Sequence, residues 1–376
     1  MRLGFISTFL PQRCGIATYT NYLAGTLRKV FPELHIKILA ENEAYTKNLE
    51  NLEVRPCWDR NYDFTDAISS HMDGLDVVHL QHEFSIHSSL DRLKSLFAAC
   101  PDGIRKVVTL HTILPSHFEP KGKEGERIVR ALVDWADKVI VHQKCQRLIL
   151  QRMGVPEDKV ELIPHGTEIT RRDKVEARRR LKLPESAKIM LMFGFIKHTK
   201  NIHLVVASLK KIAVEVPDVY LFIAGGLAPD APQEDQDYLY LIRKKINELG
   251  PFKEHVLFAG YFFPHQDMPD LLASADVILF PYCNEERSAS GAFHLALGAG
   301  KPVVAYRIPK FEELSEICDD LLVLPNNKHG LKRAIIRVLT DDEFRNFAIS
   351  RIEQYAQRTS WENIAREHMR VYESLL

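Results

Sequence analysis

Short apolar runs alternate with amphipathic stretches along the whole 376-residue chain. The first half contains the runs RLGFIS, HIKILA, LDVVHLQ, KVVTLH, KVIVHQ and KVELIPHG. The second half contains KIMLMFGF, VYLFIAGG, HVLFAGY, DVILFPY, KPVVAY and DLLVLP. Nearly continuous apolar strands separated by helical patterns are typical of parallel sheets that are covered on both faces. The pattern therefore predicts an α/β fold with two successive Rossmann-like domains.

The boundary between the two predicted domains falls in the charged stretch that follows KVELIPHG. We predict an N-terminal domain over residues 1–168 and a C-terminal domain over residues 169–357. The last segment, residues 358–376, has the apolar spacing of one amphipathic helix. Thr359 and Glu362 have the spacing of a capping box, and so predict where this helix begins.

The composition is that of an ordinary globular protein, with 45% hydrophobic and 27% charged residues. Fifty basic and fifty acidic residues cancel, so bulk attraction to nucleic acid is excluded and peripheral membrane contact is not indicated. The six cysteines form no C-x-x-C pair. No apolar run approaches the roughly 18 residues of a membrane span. Together these features predict a cytoplasmic protein without a nucleic-acid partner.

Several candidate residues of the first half follow apolar strands, where open α/β sheets bind their ligands. Gly15 lies in a loop before a predicted helix and lets the backbone approach a ligand. His82 and Glu83 follow one strand, and His111 ends the next. These imidazoles could face one cleft, in which His111 would orient a hydroxyl. A zinc site and histidines satisfied in the core are the alternatives.

Two groups of candidates follow strands in the second half. Lys197 and Lys200 lie in the loop after KIMLMFGF, where two ammonium groups beside a helix N-terminus would stabilise a diphosphate. A solvated loop is the alternative. Further on, a turn of small residues can present consecutive backbone N–H groups to an anion. This turn consists of Ser288, Ala289, Ser290, Gly291 and Ala292. Glu286 stands just before it and could accept bonds from sugar hydroxyls.

The sequence DQD, Asp235–Asp237, has the D-x-D form that some metal–nucleotide sites share. It lies in the acidic stretch APDAPQEDQDY and does not follow a strand. We therefore interpret it as a solvated loop and predict no metal site in this chain.

The chain resembles the family 4 retaining glycosyltransferases of the GT-B fold. The resemblance depends on the order and spacing of several phrases that cover nearly the whole sequence. These are PQRCGIATYTNYLA, DVVHLQHEF, TLHT, KVELIPHGTE, FGFIKHTKNI, LFIAGG, VLFAGYFFPHQDMPDLLASADVILFPY, GAGKPVVA and SWENIAREHMRVYESLL.

The resemblance implies two Rossmann-like domains whose parallel sheets face a central cleft. The N-terminal domain would bind the acceptor, with His82 and Glu83 on that side, and the C-terminal domain would bind a nucleotide-sugar donor without a metal. The last helix would cross back to the first domain. Gly15 would approach the donor phosphate, His111 the reacting sugar, and Lys200 the diphosphate. The other implied donor residues are Gly194, Gly225, Gly226, Tyr261 and Phe262.

The sequence departs from the family pattern at three places. The usual double glycine of the first loop is Cys14-Gly15, and Phe195 stands where an arginine of the basic pair is expected. Lys197 could supply that missing charge. The family's two glutamates fall on Arg287 and Leu295 when counted back from GKP. A slip of one residue would instead pair Glu286 with His294, leaving His294 to hold the ribose.

The expected reaction is transfer of a hexose, with retention, to an acceptor hydroxyl and with release of GDP or UDP. The small-residue turn resembles mannosyltransferase-like members, which favours GDP-mannose as the donor. No cofactor is expected. Two alternatives stand: a retaining phosphorylase that uses the same basic pocket, and a non-catalytic protein that binds a sugar nucleotide or a partner.

Overall fold

The structure is a computed structural model that describes residues 1–114, 121–228, 231–283 and 287–376. It divides into two compact units. As far as these ranges are described, the first unit consists of Met1–Gly166, Glu286–Gly291 and Thr359–Leu376, and the second of Thr167–Glu285 and Ala292–Arg358. Both units are α/β, as the apolar pattern predicts. The candidate Glu286 itself lies outside the described residues.

The first unit is built on an eight-stranded sheet in the order β3-β4-β2-β1-β5-β6-β8-β9. Its strands are β1 (Arg2–Ser7), β2 (His35–Glu41), β3 (Lys47–Leu49), β4 (Leu52–Trp58), β5 (Val77–His82), β6 (Arg105–Leu110), β8 (Lys138–Val141) and β9 (Val160–Leu162). Outside this sheet lie β7 (Thr112–Ile113) and, from later in the chain, β14 (Arg287–Ser288). The helices are α1 (Gly15–Val30), α2 (Thr65–Ser69), α3 (Leu90–Ala98), α4 (Lys121–Trp135), α5 (Lys144–Arg152) and α14 (Trp361–Glu373). The sheet is parallel except that β3 runs antiparallel to β4.

The last helix, α14, packs on α1 within the first unit. The ring of Trp361 lies 5.2 Å from that of Tyr19 and stacks on that of Tyr22 at 5.4 Å. Its N-cap is Ser360, whose hydroxyl accepts a hydrogen bond from the Asn363 amide. The predicted capping box at Thr359 is therefore displaced by one residue. Glu362 of that predicted box instead forms an ion pair with Lys29.

A short segment from the second half of the sequence also belongs to the first unit. Arg287 and Ser288 pair antiparallel with Ile113 and Thr112. The side-chain amide of Gln146, which is fully buried, donates to the Arg287 carbonyl at 2.9 Å. The predicted domain limits place this segment in the C-terminal domain, because its neighbours along the chain give no sign of such long-range pairing.

The second unit is built on a six-stranded parallel sheet in the order β12-β11-β10-β13-β15-β16. Its strands are β10 (Lys188–Phe193), β11 (Val219–Ala224), β12 (Val256–Phe258), β13 (Val277–Phe280), β15 (Val303–Tyr306) and β16 (Leu322–Val323). The helices are α6 (Lys174–Arg180), α7 (Ile202–Ala213), α8 (Gln233–Asn247), α9 (Met268–Ala273), α10 (Gly291–Gly298), α11 (Leu314–Cys318), α12 (Lys328–Thr340) and α13 (Asp342–Arg358). The central strands are apolar at nearly every position because helices cover both of their faces.

Candidate functional site

Glycines line the edge of the second sheet at the carboxyl ends of β10 and β11, which are neighbours in the sheet. Gly194 follows β10 with φ +83°, a left-handed conformation that favours glycine. A Cβ atom on Gly225, after β11, would lie 2.1 Å from the Gly194 carbonyl oxygen. A Cβ on Gly226 would lie 3.0 Å from the Tyr261 backbone. Gly225 is thus required by the packing of two strand-end loops, which places open backbone at the edge where ligands bind.

We expect Gly225→Ala to disturb this edge. The added methyl group must push the Gly194 loop away, which should cost about 1–3 kcal/mol of unfolding free energy. Ligand binding at the loop should weaken with it. Gly15→Ala is the matched control, because a Cβ on Gly15 meets nothing within 4 Å. Thermal unfolding of both variants checks the prediction, and equal melting temperatures for G225A and G15A would contradict it.

Lys200 lies half-buried at this glycine edge. Its Nζ donates to the Phe193 carbonyl at 2.9 Å and lies 5.5 Å from the centre of the Tyr282 ring. An ideal Cβ on Gly194 would be 3.1 Å from this Nζ. Burial first, and then the neighbouring Lys197 charge, lower the pKa of Lys200 to about 7. Because burial has already removed much of the water around this amine, binding an anion beside it costs little further desolvation of the amine.

The loop that carries the two lysines is held from the β13 side. Asn201 adopts a left-handed conformation with φ +54°, and its side-chain amide donates to the Pro281 carbonyl at 2.9 Å. The Cys283 amide donates to the Thr199 carbonyl at 2.9 Å. Lys197 is exposed at the start of the turn. Of the two predicted lysines, the structure thus fixes Lys200 against the glycine edge and leaves Lys197 at the surface.

Aromatic side chains stand beside the same glycines. Phe195 stacks on Phe262 with ring centres 4.7 Å apart. Phe262 is 38% exposed and Tyr261 is 58% exposed. Large rings left in solvent at the ligand-binding edge of a sheet offer a surface on which a base can stack. Phe195 packs in this aromatic group and contributes no positive charge.

The D-x-D motif is part of a helix, and the prediction of a solvated loop is wrong. Both aspartates lie in the first turns of α8. Asp235 is 5% exposed and accepts a hydrogen bond from the His198 amide, whereas Asp237 is exposed and pairs with Gln233. Over the described residues, His, Cys, Asp and Glu side chains form no group of three or more suited to a metal ion.

His294 points into the core of the second unit. Its ring is 1% exposed, with Nδ1 2.8 Å from the Thr167 hydroxyl and Nε2 3.2 Å from a carboxylate oxygen of Glu313. The Tyr355 hydroxyl donates to the same Glu313 oxygen at 2.7 Å. The assignment of His294 to a ribose is therefore corrected, because protein groups surround the ring and exclude a ligand. Leu295 is half-buried against the same core.

The predicted anion-binding turn has a different shape. The helix α10 begins at Gly291, and Ser288 is a strand residue paired with Thr112. Ser288 and Ser290 are both 8% exposed. The run of consecutive N–H groups from Ser288 to Ala292 is therefore corrected: Ser288 is engaged in the β7–β14 ladder, and Ala289 lies between that ladder and the helix.

The strand-end histidines of the first unit are buried. His111 is 7% exposed, its Nε2 lies 2.8 Å from the Gln81 side-chain oxygen, and its Nδ1 lies 3.3 Å from Nε2 of His142. Burial first, and then the His142 ring, hold the pKa of His111 well below its usual range. Both nitrogens of this neutral ring have protein partners, so a sugar hydroxyl reaches His111 only by displacing one of them.

The other first-unit candidates differ in their exposure. His82 is fully buried and its Nε2 donates to the His87 carbonyl at 3.2 Å, which corrects its assignment to the acceptor side. Glu83 is half-buried and accepts a hydrogen bond from the Thr112 hydroxyl at 2.6 Å. Gly15 is exposed at the first residue of α1. Glu83 and Gly15 therefore remain within reach of solvent.

Sequence reasoning missed three buried polar residues of the first unit. Gln81 and His142 flank His111, and each follows apolar strand residues, so their positions carried the same signal as His111 itself. Gln146 accepts from the amides of His142 and Gln143 through its side-chain oxygen, and its nitrogen donates to the His111 carbonyl. The N3 position of Gln146 in a capping box of α5 is a local signal that could have marked it, whereas its bonds to the His111 and Arg287 carbonyls come from remote parts of the chain.

The two units define an α/β protein built from two Rossmann-like sheets, one of which carries a glycine and lysine edge after its central strands. The family model for glycosyl transferases group 1 matches residues 173–355, and the model for glycosyltransferase family 4 matches residues 15–171. The chain therefore belongs to the group 1 and family 4 glycosyltransferases and has the GT-B fold.

Curated relatives of this chain are glycosyltransferases. An uncharacterized glycosyltransferase of Methanocaldococcus jannaschii is 26% identical over 62% of this chain and 59% of its own length. A D-inositol 3-phosphate glycosyltransferase of Corynebacterium urealyticum is 28% identical over 72% of this chain and 66% of its own length. The matched regions thus span less than two thirds of both relatives.

Solved structures share the fold over the whole chain. A sucrose-phosphate synthase from Thermosynechococcus elongatus has a TM-score of 0.79 at 20% identity, covering 100% of this chain and 99% of the other. Anabaena HepE in complex with UDP has a TM-score of 0.74 at 19% identity and full coverage of both chains. Within the described ranges, no helix combines the length and apolar composition needed to cross a bilayer.

Proposed function

We propose that this glycosyltransferase moves a hexosyl group from a nucleotide-diphosphate sugar to an acceptor hydroxyl, with retention and without a metal. The observation that carries the proposal is Lys200, a half-buried amine beside the left-handed Gly194 at the carboxyl edge of the second sheet. A pocket of this kind suits a diphosphate, because its donors are fixed in place before the negative charge develops.

The chain's own residues divide the work in this proposal. Lys200, with Lys197 nearby, offsets the charge of the departing diphosphate. The exposed rings of Tyr261 and Phe262 support the base. The acceptor hydroxyl attacks from the face that the leaving group occupies, and a phosphate oxygen takes its proton. No carboxylate nucleophile is then needed, in contrast to a retaining glycosidase. The released product is GDP or UDP.

The donor nucleotide is the part of the proposal that solution measurements decide. HepE, which shares the fold, was crystallised with UDP, whereas the resemblance of the small-residue sequence Ser288–Ala292 to mannosyltransferase-like proteins favours GDP-mannose. We propose that the donor is a hexose linked to UDP or GDP, and that the preferred hexose is mannose. Exposed aromatic rings stack on either base, and a purine offers the larger stacking area.

Calorimetric titration and thermal-shift screening with UDP, GDP, inorganic phosphate and mannose 1-phosphate test the proposal. We expect one nucleoside diphosphate to raise the melting temperature and to bind more tightly than phosphate. Stabilisation by phosphate or the sugar phosphate alone would instead indicate a phosphorylase. A chain that binds none of these ligands would overturn the proposal and favour a non-catalytic role.

A further inference from the structure

The 3-10 turn His198–Lys200 carries the principal cation of the proposed diphosphate site, and the amide of its first residue is anchored to α8. The Asp235 carboxylate accepts from the His198 amide at 3.3 Å and lies 3.6 Å from the His198 ring. Asp235 is the third residue of α8, so its negative charge is favoured by the helix N-terminus. It is 5% exposed and does not touch solvent as a surface acid would.

Several other anchors of this loop are backbone or neutral groups. The Ile196 amide donates to the Gly226 carbonyl at 2.8 Å, and the Lys200 amide donates to the Lys197 carbonyl at 3.0 Å. On the other side, the Asn201 amide side chain is bonded to the Pro281 carbonyl. Asp235 differs from these anchors because its carboxylate, on a separate helix, accepts from the backbone amide of the first residue of the turn. Its exposed neighbour Glu234 contacts the His198 ring instead, at 3.2 Å.

We propose that Asp235 is a positioning residue for the donor diphosphate, acting through His198 to hold the turn that presents Lys200. The proposal rests on the function argued above. Asp235 itself does not contact the nucleotide. It keeps the turn in place before the ligand arrives, so the binding energy is not spent on ordering the loop.

Positioning and simple electrostatics predict opposite results at this residue. A carboxylate near a diphosphate repels it, so charge alone predicts that removing Asp235 tightens nucleotide binding. Positioning predicts that removal weakens it, because Lys200 then leaves its place and small displacements in a binding site are costly. The sign of the change therefore distinguishes the two explanations.

The experiment compares Asp235→Ala, Asp235→Asn and Asp237→Ala in the full chain. Affinity for UDP and GDP is measured by calorimetry, and donor KM and kcat are measured separately from acceptor KM. We expect D235A to bind the preferred nucleotide about tenfold more weakly and to lose donor kcat/KM with acceptor KM unchanged. D235N keeps a side-chain oxygen for the His198 amide and should stay within about threefold of the wild type.

Asp237→Ala is the matched control from the same helix turn, because Asp237 is exposed and bonded to Gln233 rather than to the loop. It should leave affinity unchanged. If D235A melts below the assay temperature, D235S replaces it, since its short hydroxyl does not reach the His198 amide. Unchanged or tighter binding by D235A would sink the positioning role. A wild-type chain that binds neither nucleotide overturns the proposed function itself.

Discussion

Lowering the pH from 7 to 5 is expected to destabilise the first unit strongly. Five of its buried imidazoles have depressed pKa values, namely His79, His82, His87, His111 and His368. Burial is the largest cause in each, and it lowers the pKa to about 4 for His82 and about 3 for His368. Neutral rings packed in a core resist protonation that the unfolded chain accepts freely.

The sign follows from proton binding in the two states. Below the ordinary histidine pKa of about 6.5, the unfolded chain takes up protons that the folded unit refuses, so stability falls with pH. The loss continues until the pH passes the depressed folded pKa values. At pH 5 each imidazole costs about 2 kcal/mol, and several together approach the whole stability of a typical domain. Thermal unfolding at pH 7, 6 and 5 measures the effect.

His87→Phe tests the cause of this acid sensitivity. The His87 ring is 1% exposed and packs against Trp58 and Phe64. Within the part of the chain that the structure describes, neither of its ring nitrogens has a hydrogen-bond partner. Phenylalanine fills the same space without a titrating group. We expect H87F to be at least as stable at pH 7 and to lose less stability at pH 5, and an unchanged acid loss would refute this cause.

Replacing Lys200 by methionine is expected to lower kcat/KM for the donor by about 10²–10³, the loss typical of one fixed charge-stabilising group. The methionine side chain keeps much of the apolar length and removes the amine, with its charge and its hydrogen bond to the Phe193 carbonyl. Lys197→Met is the matched control, because Lys197 is exposed and contributes in a more screened environment. Steady-state kinetics of both variants measure the difference. Equal losses in K197M and K200M would contradict the special place of Lys200.

The lowered pKa of Lys200 also predicts that nucleotide binding takes up a proton. Its pKa of about 7 leaves it largely neutral above that pH in the free protein. A bound diphosphate favours the ammonium form, so nucleotide binding at pH 8 should take up a proton. Calorimetry in buffers of different ionisation enthalpy measures that uptake, which K200M should lack. The contribution of Lys200 to stability should rise from pH 7 towards its unfolded pKa, because there the unfolded chain binds the proton that folded Lys200 releases.

The strands of the second sheet were predictable because a strand that is buried on both faces consists mainly of apolar residues. All four residues of β13 are buried and apolar, and β10 is apolar at five of its six positions. The end of a helix is a weaker signal, since Thr359 and Ser360 both suit an N-cap. The strand β14 could not be predicted at all. Its two residues gain their structure from Thr112 and Ile113, which are remote in sequence.

The candidate site was predictable for residues that directly follow a buried strand. Lys200 and Gly194 follow a buried strand, so the sheet itself brings them to its ligand-binding edge. His294 and His82 could not be placed in this way. A helix residue faces either the core or solvent according to its tertiary neighbours, and for His294 those neighbours are Thr167 and Glu313. The family spacing identified the helix that carries His294, but it did not predict that the His294 side chain faces the core.

The first unit is assembled from segments that are far apart in sequence, and this affects how it folds during synthesis. The sheet strands of this unit are made first, but α14 and β14 come from residues after 285. While the ribosome is still extending the chain, the surfaces of Tyr19 and Tyr22 that receive Trp361 remain uncovered. Native contacts at this distance in sequence close late. The first unit can therefore complete its native packing only after α14 has emerged from the ribosome.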